Sequence, residues 1–413
     1  MSLPQINLVV IGHKDHGKST LIGRLLYDSK AIPENKLREI REELKKSGRD
    51  EFEFAFILDS LEEERTGGLT IDIMQTPFKS ERYQYTIIDC PGHKEFIKKM
   101  LTGASQADAA VLVVSAKEGV EDQTRQHLFL AKRLGISQLI VAVNKMDLVD
   151  YDEETFKEIS GELKKLLTSL GYEGAPIIPV SAFMGENVTK RTGKMGWYRG
   201  MTLIEALDES VKPPEPPSDK PMRCLVQDVY RLGDERIVVS KVETGTLKAG
   251  SRVCIMPTGE SGVVEGIESF GESKVEALPG ESVGLVIDGV EDVKRGYVIC
   301  YPDEPTKVAG RFTAELIVFS DIEIREGDEL TIRVGTAEAR CRVEKLIERI
   351  NPVSLQVEEH GPGALRDGDV GRAVLQALEP ICIEAYRDIP QLGRFVILGR
   401  MGAAAAGIVI EPK

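Results

Sequence analysis

Long apolar runs are what this 413-residue sequence most lacks. No stretch approaches the roughly eighteen consecutive apolar residues of a membrane-spanning helix. The best runs, 109–114 and 139–143, have the length of single strands, so no membrane span is expected. Cysteine is scarce and scattered: six residues (90, 224, 254, 300, 341 and 382) form no CxxC and no metal-ligand spacing. In so long a chain that predicts reduced, mostly buried thiols rather than a disulfide framework. The opening Met1-Ser2-Leu3-Pro4 has no basic stretch or cleavage site before its first apolar segment, so a cytoplasmic protein is expected. Positive charge is also short. Residues 1–212 carry 29 Lys and Arg against 33 Asp and Glu, and residues 213–413 carry 24 against 34, within a net charge of −14. An acidic chain holds RNA only through a local basic patch, because phosphate neutralisation dominates such affinity.

What is present is a strand–helix alternation. A β-branched run at 6–11 ends in glycine and leads into a helical pattern through Leu26. Apolar runs recur at 85–88, 109–114, 139–143 and 177–180, separated in part by helical segments at 94–102, 122–134 and 153–170. A charged helix at 36–46 and a last one at 203–210 complete the pattern. Alternation of this kind predicts an α/β domain with a mostly parallel sheet and helices on both faces. Residues 211–221 then hold five prolines in eleven positions, the composition of a stiff extended linker. Beyond them, short alternating segments spaced by Gly-containing turns predict antiparallel β-barrels. A seam near 302–310 divides that half, giving expected domains at 1–212, 213–306 and 307–413.

The first turn carries the chemistry. Gly12-His13-Lys14-Asp15-His16-Gly17-Lys18-Ser19 fits G-x-x-x-x-G-K-[ST] between a strand and a helix. Such a loop curls backbone N–H groups around phosphates at a helix N-terminus. Lys18 supplies charge to the β- and γ-phosphates, and the Ser19 hydroxyl is an expected Mg²⁺ ligand with Thr20 beside it. Ile87-Ile88-Asp89-Cys90-Pro91-Gly92-His93 places an acid at a strand end, expected to hold the metal, and a glycine able to sense the γ-phosphate. His93 follows as the candidate water-positioning residue. Between these motifs, Thr66-Gly67-Gly68-Leu69-Thr70 offers a loop threonine that could close on the metal, though spacing alone leaves an ordinary turn open. Further on, Asn144-Lys145-Met146-Asp147 follows a strand. The Asp147 carboxylate can accept from both N1–H and N2–H of guanine, Asn144 can brace the neighbouring loop, and the Lys145 stem can cover the ring. Ser181 and Ala182, with Phe183 beside them, offer N–H groups toward O6. The order of these motifs predicts a GTP- and GDP-binding domain that discriminates strongly against adenine.

Together with the paired histidines His13 and His16 and the Pro91-Gly92-His93 triplet, these motifs resemble the translational GTPases. More narrowly, the chain is similar to the elongation factor 1-alpha family of archaeal type. The similarity runs through Phe52-Glu53-Phe54-Ala55-Phe56, 89–110, 187–203, Val242-Glu243-Thr244-Gly245 and Pro390-Gln391-Leu392-Gly393-Arg394-Phe395. That resemblance implies a GTPase domain and two β-barrels, and delivery of aminoacyl-tRNA to the ribosome. It implies Lys18, His93 and Thr70 as catalytic residues, Ser19, Thr70 and Asp89 at Mg²⁺, and Asp15 near a monovalent cation. A second resemblance, to the GTPase subunit of bacterial ATP sulfurylase, rests on 17–37 and 147–156. That family usually has Gly-Ser-Val-Asp-Asp-Gly in the first loop, where both histidines stand here. A rescue or release type GTPase, or a paralogue acting through a protein partner, is the further alternative.

Four departures from the family pattern stand out. Lys14 replaces an apolar gate residue, and is expected either to reach solvent or to lean toward the γ-phosphate. Gly67 replaces an arginine, 233–241 looks one residue short, and 401–407 lacks a threonine. RNA contact by the acidic barrels would depend on cations such as Arg223, Arg231, Arg394 and Arg400.

Overall fold

The computed structural model describes residues 3–46, 54–57, 75–88, 107–233, 235–269, 271–354, 356–400 and 402–413. The expected helix at 94–102 lies outside them, as do Thr70, Asp89, Gly92 and His93. The chain divides into two compact units, Met1–Pro214 and Glu215–Lys413.

In the first unit the elements run β1 (Gln5–Gly12), α1 (Lys18–Asp28), α2 (Glu34–Lys46), β2 (Gln75–Lys79), β3 (Gln84–Ile88) and β4 (Ala109–Ser115). There follow α3 (Asp122–Arg133), β5 (Gln138–Asn144), α4 (Glu153–Ser169), β6 (Ile177–Pro179) and α5 (Leu203–Ser210). The sheet order is β2-β3-β1-β4-β5-β6, and only the β2–β3 pair is antiparallel. All seven residues of β4 are buried, as a strand covered on both faces requires. Ile6, Leu8 and Val10 pack into one core with Leu21, Leu25, Ala206 and Leu207 of α1 and α5, while α3 lies against β1 and β4. Helix starts are set locally: Asp152 accepts the Thr155 N–H at 2.7 Å before α4, and Thr202 and Glu205 form a reciprocal capping box before α5. One strand, β2, escaped sequence reading. Its Pro77 argues against a central strand, and the proline is tolerated because β2 is the sheet edge.

The second unit holds two closed antiparallel barrels. Arg252–Met256, Val298–Cys300, Arg223–Leu232, Glu235–Thr244, Ser282–Asp288 and Glu260–Ser269 pair in that order, and the last pairs back to the first. Glu329–Val334, Arg394–Gly399, Gly402–Pro412, Val308–Val318, Val370–Cys382 and Ala337–Ile350 close the other in the same way. Alternation along the strand Arg223–Leu232 decides which side chains serve which core. Cys224 and Val226 point into the first barrel's core, whereas Leu225 packs in the core of the second. Of the six cysteines, the five among the described residues are free and buried, and burial pushes the Cys224 thiol up to about 12.

Where the barrels meet, Arg223 and Glu384 form a buried pair, 4% and 6% exposed. Guanidinium nitrogens reach Glu384 Oε1 at 2.9 and 3.0 Å, and Thr306 Oγ1 donates to the same oxygen at 2.9 Å. Nη1 donates to the carbonyls of Met222 and Glu304 at 3.0 and 2.8 Å. This arginine is therefore structural and unavailable to RNA, contrary to expectation. Arg394 is also largely enclosed, and burial depresses its guanidinium pKa. Removing one partner of a buried pair typically costs about 3–5 kcal/mol, because the other charge is left uncompensated. Arg223→Met is expected to lower the denaturant midpoint of the barrel unit accordingly, and Arg223→Met with Glu384→Leu to recover most of the loss. An unchanged midpoint in the single variant would show that Glu384 is satisfied without the arginine.

Candidate nucleotide site

Parallel pairing sets the site at one edge of the sheet. Gly12 pairs with Val113, Ser115 with Asn144, and Val143 with Pro179, so the turns that follow β1, β5 and β6 emerge side by side. Ligands of open α/β sheets bind at that carboxyl edge.

The turn after β1 is shaped by its glycines. Gly12 has φ 144°, and a Cβ there would lie 2.3 Å from the Val113 carbonyl oxygen. Gly17 has φ 87° at the start of α1, and a Cβ there would lie 2.5 Å from Asn144 Nδ2. A backbone packed this closely on both sides tolerates no side chain at either position. Lys18 Nζ donates to the carbonyls of Gly12 and His13 at 3.0 and 2.8 Å, so the ammonium occupies the hollow of its own loop. Ser19 is exposed, with Thr20 half-buried behind it. Asp15 is exposed at φ 63°. The cradle and its lysine thus fit a polyphosphate.

The two histidines differ. His13 is half-buried, whereas His16 is fully buried, its ring centroid 5.0 Å from that of His13. His16 Nδ1 lies 3.3 Å from the Val113 carbonyl oxygen. Its Nε2 lies 3.0 Å from a Glu118 carboxylate oxygen, outside hydrogen-bond geometry. Burial outweighs both neighbours and holds the imidazole pKa below its ordinary value. Lys14 is exposed, and its backbone N–H donates to Gln123 Oε1 at 3.1 Å.

Asn144 joins the turns. Its Nδ2 donates to the His16 carbonyl at 3.0 Å, and its Oδ1 accepts the Ala182 N–H at 2.9 Å. The side chain is 2% exposed and satisfied on both sides by backbone. Lys145 adopts φ 63°, which turns the chain sharply into the short helical turn Met146–Val149. Ser181 Oγ donates to Asp147 Oδ1 at 2.5 Å and accepts the Met184 N–H at 3.2 Å. One carboxylate oxygen of Asp147 is therefore anchored. Leu148 and Phe183, next in the chain to Asp147 and Ala182, expose apolar surface at the rim. The described residues bring together Gly12, His13, Asp15, His16, Gly17, Lys18, Ser19 and Thr20 with Asn144, Lys145, Asp147, Ser181, Ala182 and Phe183. Sequence reasoning missed Glu186, which is 1% exposed and whose backbone pairs with Ser181 in both directions at 3.1 Å. No spacing rule marks a glutamate that holds a turn from behind.

Comparison with known proteins covers the same span. The family model for the elongation factor Tu GTP-binding domain matches residues 3–213. Models for elongation factor Tu domain 2 and for the GTP-eEF1A C-terminal domain match 235–300 and 311–410. Elongation factor 1-alpha of Thermococcus onnurineus is 46% identical, over 99% of this chain and 98% of that protein. The same factor from Archaeoglobus fulgidus is 45% identical over 98% of this chain and 97% of that protein. That of Methanosarcina barkeri is 43% identical over 99% and 98%.

Proposed function

We infer the detailed function of this chain from its family: it belongs to the translation elongation GTPases of elongation factor 1-alpha type. In its GTP form it carries aminoacyl-tRNA to the ribosome, and it works in the cytoplasm. The nucleotide part of this reading is supported by the Asn144 brace, which ties the phosphate loop to the Ala182 turn, and the carrier part by the full-length family match.

Within that pocket Lys18 meets the β- and γ-phosphates, and the N–H groups from Gly12 to Thr20 line the same anion. Asp147 reads N1–H and N2–H, the Ala182 turn faces O6, and the Lys145 stem with Phe183 covers the base. Ser19, with Thr70 and Asp89, would hold Mg²⁺, which neutralises charge on the β- and γ-oxygens when bound. His93 orients the attacking water, while Thr70 and Gly92 meet the γ-phosphate. These last assignments rest on the family pattern. Unassisted hydrolysis is slow, because switch GTPases need a partner to complete the catalytic geometry.

Carriage of charged tRNA is tested by protection of the aminoacyl ester. With the GTP form present, spontaneous deacylation should slow at least tenfold at low salt, and protection should fade as salt rises. Deacylation at the free rate, even at low salt, would overturn the carrier reading.

A further inference from the structure

We propose that the loop at 187–202, on the GTPase unit, is a contact surface for RNA phosphates, formed by Lys190, Lys194 and Arg199 around Trp197 and Tyr198. Between Glu186 and Glu205 the sequence has four cations and no acid, in a chain of net charge −14. Arg191 alone among them is neutralised, its Nη2 lying 3.0 Å from Glu205. Lys190, Lys194 and Arg199 are exposed and form no ion pair among the described residues. The second barrel treats its surface arginines differently: Arg311, Arg333, Arg340 and Arg342 each sit on a glutamate. Three exposed cations without an ion pair among the described residues thus share one loop that has no acid of its own.

The loop is also built to hold its shape without helix or strand. The Glu186 side chain, almost fully buried, accepts the N–H of Thr192 at 3.1 Å, the Thr192 hydroxyl, and the N–H of Lys194 at 3.3 Å. Asn187 donates its N–H to the Lys190 carbonyl at 3.0 Å, and Arg191 closes the far end on the Gly200 carbonyl at 2.6 Å. The indole of Trp197 donates to the Tyr151 carbonyl at 2.9 Å, with its ring 5.4 Å from that of Phe156. Cations that serve only solubility need no such scaffold. A pre-ordered loop binds a polyanion without the full ordering cost. The half-buried indole and phenol beside the cations add the stacking surface that RNA-binding sites use. The choice of RNA as the polyanion rests on the translational reading above; the surface itself does not.

Trp197 is the sole tryptophan of the chain, so its emission reports on this loop alone. Titration of the full-length GDP-bound protein with an RNA hairpin of about 20 nucleotides should give a saturable change in that emission. With three phosphate contacts, affinity should fall roughly forty-fold between 50 and 200 mM salt. The triple variant Lys190→Glu, Lys194→Glu, Arg199→Glu should bind the hairpin at least tenfold more weakly and keep its GDP affinity. A silent tryptophan, equal hairpin affinity in the variant, or tighter binding of polyglutamate than of RNA would each overturn the proposal. Hairpin binding at this loop in a protein that fails to protect charged tRNA would support the surface and overturn only the carrier reading.

Discussion

Asp147→Asn is expected to cut GDP affinity by two to three orders of magnitude while raising affinity for XDP. In the proposed pocket the carboxylate would accept two hydrogen bonds from guanine, and a hydrogen bond to a charged group contributes about 1.5–3 kcal/mol. An amide offers one acceptor and presents its NH₂ where guanine presents a second donor, so one pairing is lost and a clash of donors replaces it. Xanthine has a 2-oxo group at that place, which the NH₂ can meet. The anchoring bond from Ser181 at 2.5 Å favours a clean exchange, because a hydroxyl can donate to an amide oxygen as well as to a carboxylate. Titration of labelled GDP and XDP against both proteins measures the shift. Undiminished GDP binding by the variant would place base recognition elsewhere.

Asn144→Ala should be nearly as damaging, by a different route. It deprives the buried His16 carbonyl and Ala182 N–H of their partner at once. Each unsatisfied buried group costs about 1–3 kcal/mol, so with two of them nucleotide affinity should fall at least about thirtyfold. Asn144→Asp separates the two bonds, since a carboxylate still accepts from Ala182 but cannot donate to His16. It should be at least as damaging as alanine, because a buried carboxylate oxygen then faces the His16 carbonyl uncompensated, with faster GDP dissociation in stopped flow. Equal dissociation rates for the alanine variant and wild type would show that the two turns hold their places without the brace.

Apolar runs of strand length alternating with helical segments make the α/β unit legible in the sequence. The strands expected at 85–88 and 109–114 are β3 and β4, and the helix expected at 203–210 is α5 to the residue. Antiparallel barrels were likewise foreshadowed by Gly-spaced alternation. Patterning fails where one residue breaks the local rule and tertiary position excuses it. Pro77 hid β2 because nothing in the sequence announces a sheet edge. Arg223 looked like a free cation on a strand, yet the covering second barrel turns it into half of a buried pair.

The sequence by itself determined the nucleotide chemistry. Gly12, Gly17, Lys18, Asn144 and Asp147 are residue types with few substitutes for their tasks, and their order along the chain is diagnostic. Tertiary structure alone decided which groups support them. That Asn144 ties His16 to Ala182, that Glu118 faces His16, and that Glu186 fixes the loop carrying Lys194 are relations between segments far apart or bound through backbone. Such relations leave no periodicity or composition to read, because a backbone carbonyl or N–H is the same at every position until folding places it.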